Sequence, residues 1–226
     1  MLAGVLLATA LCSGCAAQTR SFRAQCEAGL AKGDVHVTTQ AAPGLNINRS
    51  LSIVELTERD PPRAPRQKTL GLTTAKQGSE MKYEQNGLQD PDTKAYCMRP
   101  RFEVTLSYDP IEIFIAREFG PGSCSDHEVL RHEQRHVAAY RQHLAVAAQN
   151  LEQAMRAHFG DTIYYGDPAL VQAELADAVA HRWLPLAQRE LAAVDAIQQS
   201  IDSPQEYARY QSACHGEIVR VLSNLP

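Results

Sequence analysis

The chain has 226 residues, enough for one domain with a sizeable core, and its 44% hydrophobic and 21% charged residues are ordinary for a globular protein. The formal charge of -4 and the lack of any Lys/Arg run exclude a strongly basic surface of the kind that binds nucleic acid. We therefore expect a globular, mildly acidic protein with no nucleic-acid partner.

The N-terminus predicts export. An apolar run over residues 2–12 is too short for a permanent membrane helix, which needs roughly 20 residues, and it suits a cleaved signal segment. The run ends in Leu11-Cys12-Ser13-Gly14-Cys15, which resembles a bacterial lipobox. We predict a signal segment with lipobox over residues 1–17 and a membrane anchor through a lipid on Cys15; the alternative is cleavage after Ala17. The mature protein is then a periplasmic or outer-membrane lipoprotein, or alternatively a secreted protein.

Four cysteines outside this segment suit an oxidising compartment: Cys26, Cys97, Cys124 and Cys214. We expect two disulfides, and the sequence does not choose among the three pairings that four cysteines allow. None of the four forms a Cys-x-x-Cys pair, which argues against a structural zinc site or a thioredoxin-like redox motif.

In the first half of the chain, apolar and polar residues alternate in the manner typical of β-strands. We predict strands near residues 34–39, 51–56, 69–74, 80–85, 102–108 and 111–115, with a hairpin turn at Asn86-Gly87. These elements predict an N-terminal antiparallel β region over residues 34–117.

The second half changes to helical periodicity. Ser125 and Glu128 fit a capping box, and apolar residues then recur at steps of three and four with no Gly or Pro before Gly160. Asp167-Pro168 predicts the start of a second helix, reaching about Ser200 with a kink at Pro185, and Ser203-Pro204 predicts a third. Strands followed by a helical half, residues 125–222, indicate the α+β class.

One motif on the first long helix indicates chemistry: His132-Glu133-Gln134-Arg135-His136. Residues four apart lie side by side on a helix, so His132 and His136 can share one Zn²⁺ ion. Glu133 can then act as the general base that activates a metal-bound water for attack on a carbonyl. The pattern predicts a zinc-dependent hydrolase of peptide bonds in the cell envelope, with a peptide or protein as substrate.

Zinc needs a third protein ligand, which the spacing does not identify. On an unbroken helix His143 lies ~16 Å along the axis from His132, too far to share the ion. The residues left open are His215, Glu217, Glu174 and His181.

The chain resembles a family of small secreted bacterial proteins described as predicted zinc-dependent proteases. The matching pieces are Cys97, the strand 102–108, Pro110, the motif at His132, and Tyr210-Gln211-Ser212-Ala213-Cys214-His215-Gly216. Gln211 and Cys214 depart from the Asp and Thr of the family's C-terminal segment. The resemblance implies a single zincin-like metallopeptidase domain over residues 18–226, and it implies that His215 is the third ligand. Cys124, just before the metal helix, is a candidate partner for Cys214.

Two other functions compete with proteolysis. A noncatalytic envelope lipoprotein could keep the metal for structure or partner binding, but such a site has no need of Glu133. A cell-wall peptide amidase would use the same metal chemistry on another substrate, and no feature of the sequence separates it from a protease.

Overall fold

The computed structural model describes residues 21–61 and 67–225. The predicted signal segment over residues 1–17, with its lipid anchor on Cys15, lies outside the described residues. Within the described ranges, no helix is both long enough and apolar enough to cross a membrane.

A five-stranded sheet is built around one long strand, β4 (Tyr96–Ile115). The strand β3 (Gly71–Gln89) runs antiparallel along one edge of β4 for nearly its whole length. Three shorter strands share the other edge: β5 (Tyr164–Gly166) is antiparallel to β4, whereas β1 (Asp34–Ala41) and β2 (Asn46–Asn48) are parallel to it.

The expected antiparallel β region followed by a helical half is wrong. Two of the four pairings among the described strands are parallel, so the sheet is mixed. Helix α1 (Phe22–Gly29) precedes β1, helix α2 (Ile53–Arg59) lies between β2 and β3, and β5 follows the long helix. Alternation shows which side chains of a strand are buried, but it carries no information about the direction of the neighbouring strand. The fold therefore stays in the α+β class with a different sheet.

Two local predictions in the first half are also wrong. Residues 51–56 contain the start of α2 rather than a strand, because Ser52 and Glu55 form a capping box there. Asn86-Gly87 lies inside β3, and the chain reverses later, where the Asp90 carboxylate accepts the backbone N–H groups of Asp92 and Thr93. The strands predicted near residues 34–39, 102–108 and 111–115 are confirmed, the last two as parts of β4.

The long helix, α3 (Cys124–Phe159), packs its apolar face on β1 and β4. It begins two residues before the expected position, because Ser123, and not Ser125, accepts the N–H of Asp126 at its start. Its end before Gly160 is as predicted. At this end the ring centroids of Phe159 and Phe102 are 4.4 Å apart, which joins the helix to the sheet.

The remaining chain is helical and leads back to the start of α3. Asp167 caps α4 (Pro168–Ala178), a π-helical turn (Val179–Trp183) precedes Pro185, and α5 (Leu184–Ala192) and α6 (Val194–Ile201) follow. Ser203 caps α7 (Pro204–Ser212), as expected. A 3-10 segment (Ala213–Gly216) and α8 (Glu217–Ser223) complete the described chain.

Two disulfides are present among the described residues, which confirms the expected number. Cys26–Cys97 joins α1 to β4, and both cysteines are fully buried. Cys124–Cys214 joins the first residue of α3 to the segment after α7, which confirms Cys124 as the partner of Cys214. The second bridge thus fixes α7 against the helix that carries the histidine motif.

Candidate metal centre

His132 and His136 lie on one face of α3, and each is only 7% exposed. Their Nε2 atoms are 3.1 Å apart, as expected for imidazoles one helical turn apart that turn toward a common point. The motif therefore places two potential ligand atoms together.

Asp202 supplies a third potential ligand atom. It lies between α6 and α7, and its Oδ1 is 3.0 Å from the Nε2 of His132 and 3.2 Å from that of His136. Zinc binds nitrogen and carboxylate oxygen near 2.0–2.2 Å, and tetrahedral geometry then sets neighbouring ligand atoms about 3.3 Å apart. The observed triangle is close to this value, so His132, His136 and Asp202 form a group that can hold a metal ion.

The hydrogen bonds of His136 fit the role of a ligand. Its Nδ1 is 2.6 Å from Oε1 of Gln198, whose amide nitrogen donates to the His136 backbone carbonyl. This pairing assigns the Nδ1 proton to the bond with Gln198. A protonated ring then donates from Nε2 to Asp202, whereas a neutral ring presents its Nε2 lone pair to the triangle. A lone pair and a carboxylate oxygen that face one another are stabilised by a cation between them.

The environment of the triangle shifts the pKa values of Asp202 and His136 so that both charged forms are favoured. Burial raises the pKa of Asp202, but hydrogen bonds to His132 and His136 outweigh it and hold that pKa well below its usual range. Burial lowers the pKa of His136, whereas the hydrogen bond to Asp202 and the charge of Glu133 bring its pKa above the usual value. The pocket thus favours a positive charge next to the Asp202 carboxylate.

The outer side of His132 contacts an ion-pair cluster that joins α7 to α3. Its Nδ1 is 3.4 Å from Oε1 of Glu206 and 2.6 Å from Nη2 of Arg135. Glu206 also pairs with Arg135 at 2.6 Å and with Arg209 at 2.7 Å, and Arg209 reaches Glu128. Desolvation raises the pKa of Glu206, yet the hydrogen bonds from Arg209 and Arg135 bring it to about 2. Glu206 is therefore a fixed carboxylate beside His132.

Glu133 is 3% exposed and lies against β3. Its Oε2 accepts a hydrogen bond from Oγ1 of Thr73 at 2.8 Å, and a Cβ at Gly71 would come within 2.6 Å of its Oε1. Burial raises the pKa of Glu133, partly opposed by His132 and His136. A carboxylate placed beside the triangle can accept a proton, which is the chemistry that a general base supplies.

The ligand triangle and Glu133 line one cavity of about 160 Å³. Its wall is made by residues 68–73 on one side, by the motif and Tyr140 on α3, and by Gln198, Asp202, Tyr207 and Tyr210 from the C-terminal helices. The arrangement leaves space beside the ligand triangle for a small group that contacts both the triangle and Glu133.

The structure does not bring His215 to this group. His215 is exposed, and among the described residues the ligand atoms within reach of one ion at this place belong to His132, His136 and Asp202. The reason is the disulfide beside it: Cys124 is the first residue of α3, eight residues and ~12 Å along the axis from His132. The bridge therefore holds His215 near the start of α3 and not beside the histidine pair.

The other proposed third ligands also lie elsewhere. Glu174 and His181 are exposed, and His181 pairs with Asp177 at 2.9 Å. Glu217 lies near Cys124 and Cys214, whose sulfur atoms are joined to each other and are not free thiolates. His143 is buried and hydrogen-bonded to Tyr108, away from the ligand triangle.

Asp202 was missed by sequence reasoning. It precedes the Ser203-Pro204 helix start, and its 66-residue separation from His136 follows no motif spacing. An aspartate before a helix start is common, so only the fold reveals its position.

Comparisons with known proteins do not assign the site: no family model, no curated protein and no solved structure matches the chain. The resemblance to predicted secreted proteases gains no support from them.

Proposed function

We propose that the protein is a zinc-dependent hydrolase of peptide bonds in the cell envelope. One observation carries the proposal: three ligand atoms converge at 3.0–3.2 Å beside a buried glutamate that lines the same cavity. His132, His136 and Asp202 would hold the ion, and three protein ligands leave a tetrahedral ion one open position.

The chemistry divides between the ion and Glu133. When bound, zinc lowers the pKa of a coordinated water toward ~7 and polarises the carbonyl of the substrate. Glu133 accepts the proton of the attacking water and returns it to the leaving amine. Thr73 donates a hydrogen bond to Oε2 of Glu133, and both residues line the cavity. This bond fixes the position of the carboxylate at the side of the cavity where α3 lies against β3.

Glu133 also argues against the noncatalytic alternative. Burial of a carboxylate costs stability even where, as at Glu133, one oxygen accepts a hydrogen bond, and a structural metal site needs only the three ligands. Keeping Glu133 buried beside the triangle is consistent with catalysis. The donor set of two imidazoles and one carboxylate is shared with non-haem iron sites, so the identity of the metal is part of the test.

Two disulfides support the envelope location, because such bonds persist in oxidising compartments. The lipid anchor on Cys15 stays a prediction. A peptide or protein and a cell-wall peptide both contain the amide bond that this chemistry cleaves, and proteolysis is the broader of the two activities.

The test combines metal analysis with an unbiased substrate screen. Purified parent protein and the Glu133→Gln variant are analysed for zinc and iron, then incubated with a peptide library and with cell-wall peptides. We expect about one zinc per chain in both proteins and cleavage by the parent alone. Iron in place of zinc, or equal cleavage by both proteins, would refute the proposal; cleavage of cell-wall peptides alone would redirect it to an amidase.

A further inference from the structure

The two disulfides of the described chain differ in their access to solvent. Cys26 and Cys97 are fully buried and pack with Leu30 in a small apolar cluster. Cys124, by contrast, is exposed, and Cys214 is partly exposed. A reducing thiol must reach a sulfur atom in order to attack it. The Cys124–Cys214 bridge is therefore the one that is open to thiol–disulfide exchange.

The backbone around Cys214 has a conformation that residues other than glycine rarely adopt. Cys214 and His215 both have φ values of 52°, and Gly216 follows with a φ of 78°. Three successive residues thus lie in the left-handed region, where a side chain carries a steric cost. Strained backbone of this kind clusters at ligand sites and switch regions. The exposed bridge therefore ends in a segment whose conformation is typical of a functional position.

Glu217 places a carboxylate beside the two sulfur atoms. One ligand atom each from Cys124, Cys214 and Glu217 lies within 4.8 Å of the other two. A tetrahedral zinc ion binds thiolate sulfur near 2.3 Å and carboxylate oxygen near 2.0–2.2 Å, which sets neighbouring ligand atoms about 3.3–3.8 Å apart. Once the sulfur atoms are no longer bonded to each other, small side-chain rotations suffice to bring all three ligand atoms to one ion.

The position of Cys124 also suits a metal-binding cysteine. It is the first residue of α3, a helix of 36 residues, and the N-terminus of a helix carries a partial positive charge. Such a position stabilises a thiolate, which is the form of cysteine that binds metal. A thiolate stabilised in this way is also a good leaving group in thiol–disulfide exchange. The reduced pair therefore offers an anionic ligand to a cation.

We propose that reduction of the Cys124–Cys214 bridge creates a second zinc site, formed by the two thiolates and the Glu217 carboxylate. A dithiol supplies two electrons and two protons, breaks the S–S bond and is itself oxidised to a cyclic disulfide. Zn²⁺ then displaces the protons of the two thiols, and water takes the fourth position of the ion. The site is separate from the ligand triangle and does not depend on the proposed hydrolase function.

Zinc at this place would maintain the link that the disulfide provides in the oxidised protein. Cys124 belongs to α3, whereas Cys214 and Glu217 lie after α7, so an ion bound by all three joins the same two parts of the chain. Helix α7 carries Glu206, which pairs with Arg135 of α3 at 2.6 Å. The reduced protein would thus keep a cross-link between α3 and the C-terminal segment only while zinc is bound.

The experiment uses the full chain with His136→Ala, which lacks one ligand of the triangle. It is reduced with a dithiol, freed of the reagent in oxygen-free buffer and titrated with zinc. We expect reduction to add about one zinc per chain. Co²⁺ in place of zinc should give a thiolate-to-metal charge-transfer absorption in the reduced form alone. Alkylation followed by mass analysis should label Cys124 and Cys214, while Cys26 and Cys97 stay bonded.

A matched pair of variants tests the carboxylate. In the same His136→Ala chain, Glu217→Gln leaves both cysteines in place and removes the anionic oxygen. Its reduced form should bind zinc at least ~10-fold more weakly. Glu174→Gln, at an exposed position on α4, should bind zinc as the unsubstituted reduced chain does. Chelator competition measures both affinities.

Three results would overturn the proposal. The first is no gain of zinc in a reduced chain whose Cys124 and Cys214 are both labelled. The second is equal zinc affinity in the reduced Glu217→Gln and Glu174→Gln chains. The third is labelling of Cys26 and Cys97 while the other bridge stays intact. A parent that cleaves no peptide would contradict the hydrolase function alone, because none of these measurements uses turnover.

Discussion

Helix α3 buries three histidines on one face, and they lie in two different surroundings. At His143, the Tyr108 hydroxyl donates to the Leu191 carbonyl at 2.6 Å and lies 3.2 Å from the ring Nδ1. At His132 and His136, by contrast, two ring nitrogens and a carboxylate oxygen converge within 3.2 Å of one another.

The difference shows what separates a structural histidine from a candidate ligand. His143 lies seven residues after His136, so both face the same side of the helix, and all three rings are similarly buried at 7–8% exposure. At His143 a hydroxyl satisfies the ring nitrogen, because Tyr108 can accept from Nδ1–H while it donates to Leu191. At His136 the outer nitrogen pairs with Gln198 and the inner one faces Asp202. The convergence of possible ligand atoms, and not burial, marks the candidate metal site.

The largest expected effect is on metal binding. His136→Ala removes one of three ligands, and we expect zinc affinity to fall by more than the ~10–100-fold that loss of an outer-shell partner costs. His143→Ala should leave zinc affinity unchanged. Chelator competition on both variants checks this, and a loss of zinc in His143→Ala would mean that the two surroundings are not independent.

The next largest expected effect is a loss of catalytic rate in a variant that still binds the metal. Glu133→Gln preserves the shape of the side chain and leaves both imidazoles in place, so zinc content should equal that of the parent. We expect kcat to fall by ~10²–10⁴-fold on a peptide that the parent cleaves. Full activity in this variant would exclude Glu133 as the base.

A third pair of variants tests the ligand that the fold revealed. Asp202→Asn replaces the anionic oxygen by a neutral amide, and we expect zinc affinity to fall by at least ~10-fold. His215→Ala, at an exposed position, should bind zinc as the parent does. The reverse result would return the third ligand to His215 and would require the C-terminal segment to move toward α3.

The smaller effects concern stability at His143. Tyr108→Phe removes a hydroxyl that is buried between the ring and the Leu191 carbonyl, and we expect a loss of ~1–3 kcal/mol in the free energy of unfolding. Zinc affinity should not change. Denaturant titration with parallel metal analysis measures both quantities, and a stability equal to that of the parent would show that these hydrogen bonds contribute nothing net.

The pH dependence at His143 has a defined sign. Burial lowers the pKa of His143 in the folded protein, so below about pH 6.5 the unfolded chain binds the proton first. The stability contributed by the neutral ring is therefore lost as pH falls through the folded pKa. The metal-free parent should lose more unfolding free energy between pH 7 and pH 5 than His143→Gln does, and identical pH profiles would contradict this.

The sequence predicted the parts of the site that depend on local geometry. His132, Glu133 and His136 follow from helical spacing, and the cap at Ser203 follows from a Ser-Pro start. Asp202 could not be predicted, because its approach to His136 depends on how α4, α5 and α6 return the chain across 66 residues. His215 was chosen by resemblance, and the disulfide beside it places it at the start of α3.

The same limit applies to the sheet. Alternation located most of β1 and β4, but the parallel pairing of β1 with β4 is a contact between residues more than sixty positions apart. The segment 51–56 has the composition of a strand, yet the Ser52–Glu55 capping box outweighs it and starts α2. Local chemistry fixed the caps, and long-range packing fixed the strand directions.

The separation of Asp202 from the histidine pair has a consequence for the timing of activity. Synthesis proceeds from the N-terminus, so the two histidines leave the ribosome long before their carboxylate partner, which lies 66 residues further on. An unfinished or truncated chain offers two of the three candidate ligands and cannot complete the group. In the proposed hydrolase, metal loading would then report that the polypeptide is whole and folded, and the cell that makes it would be protected from premature cleavage of its own proteins.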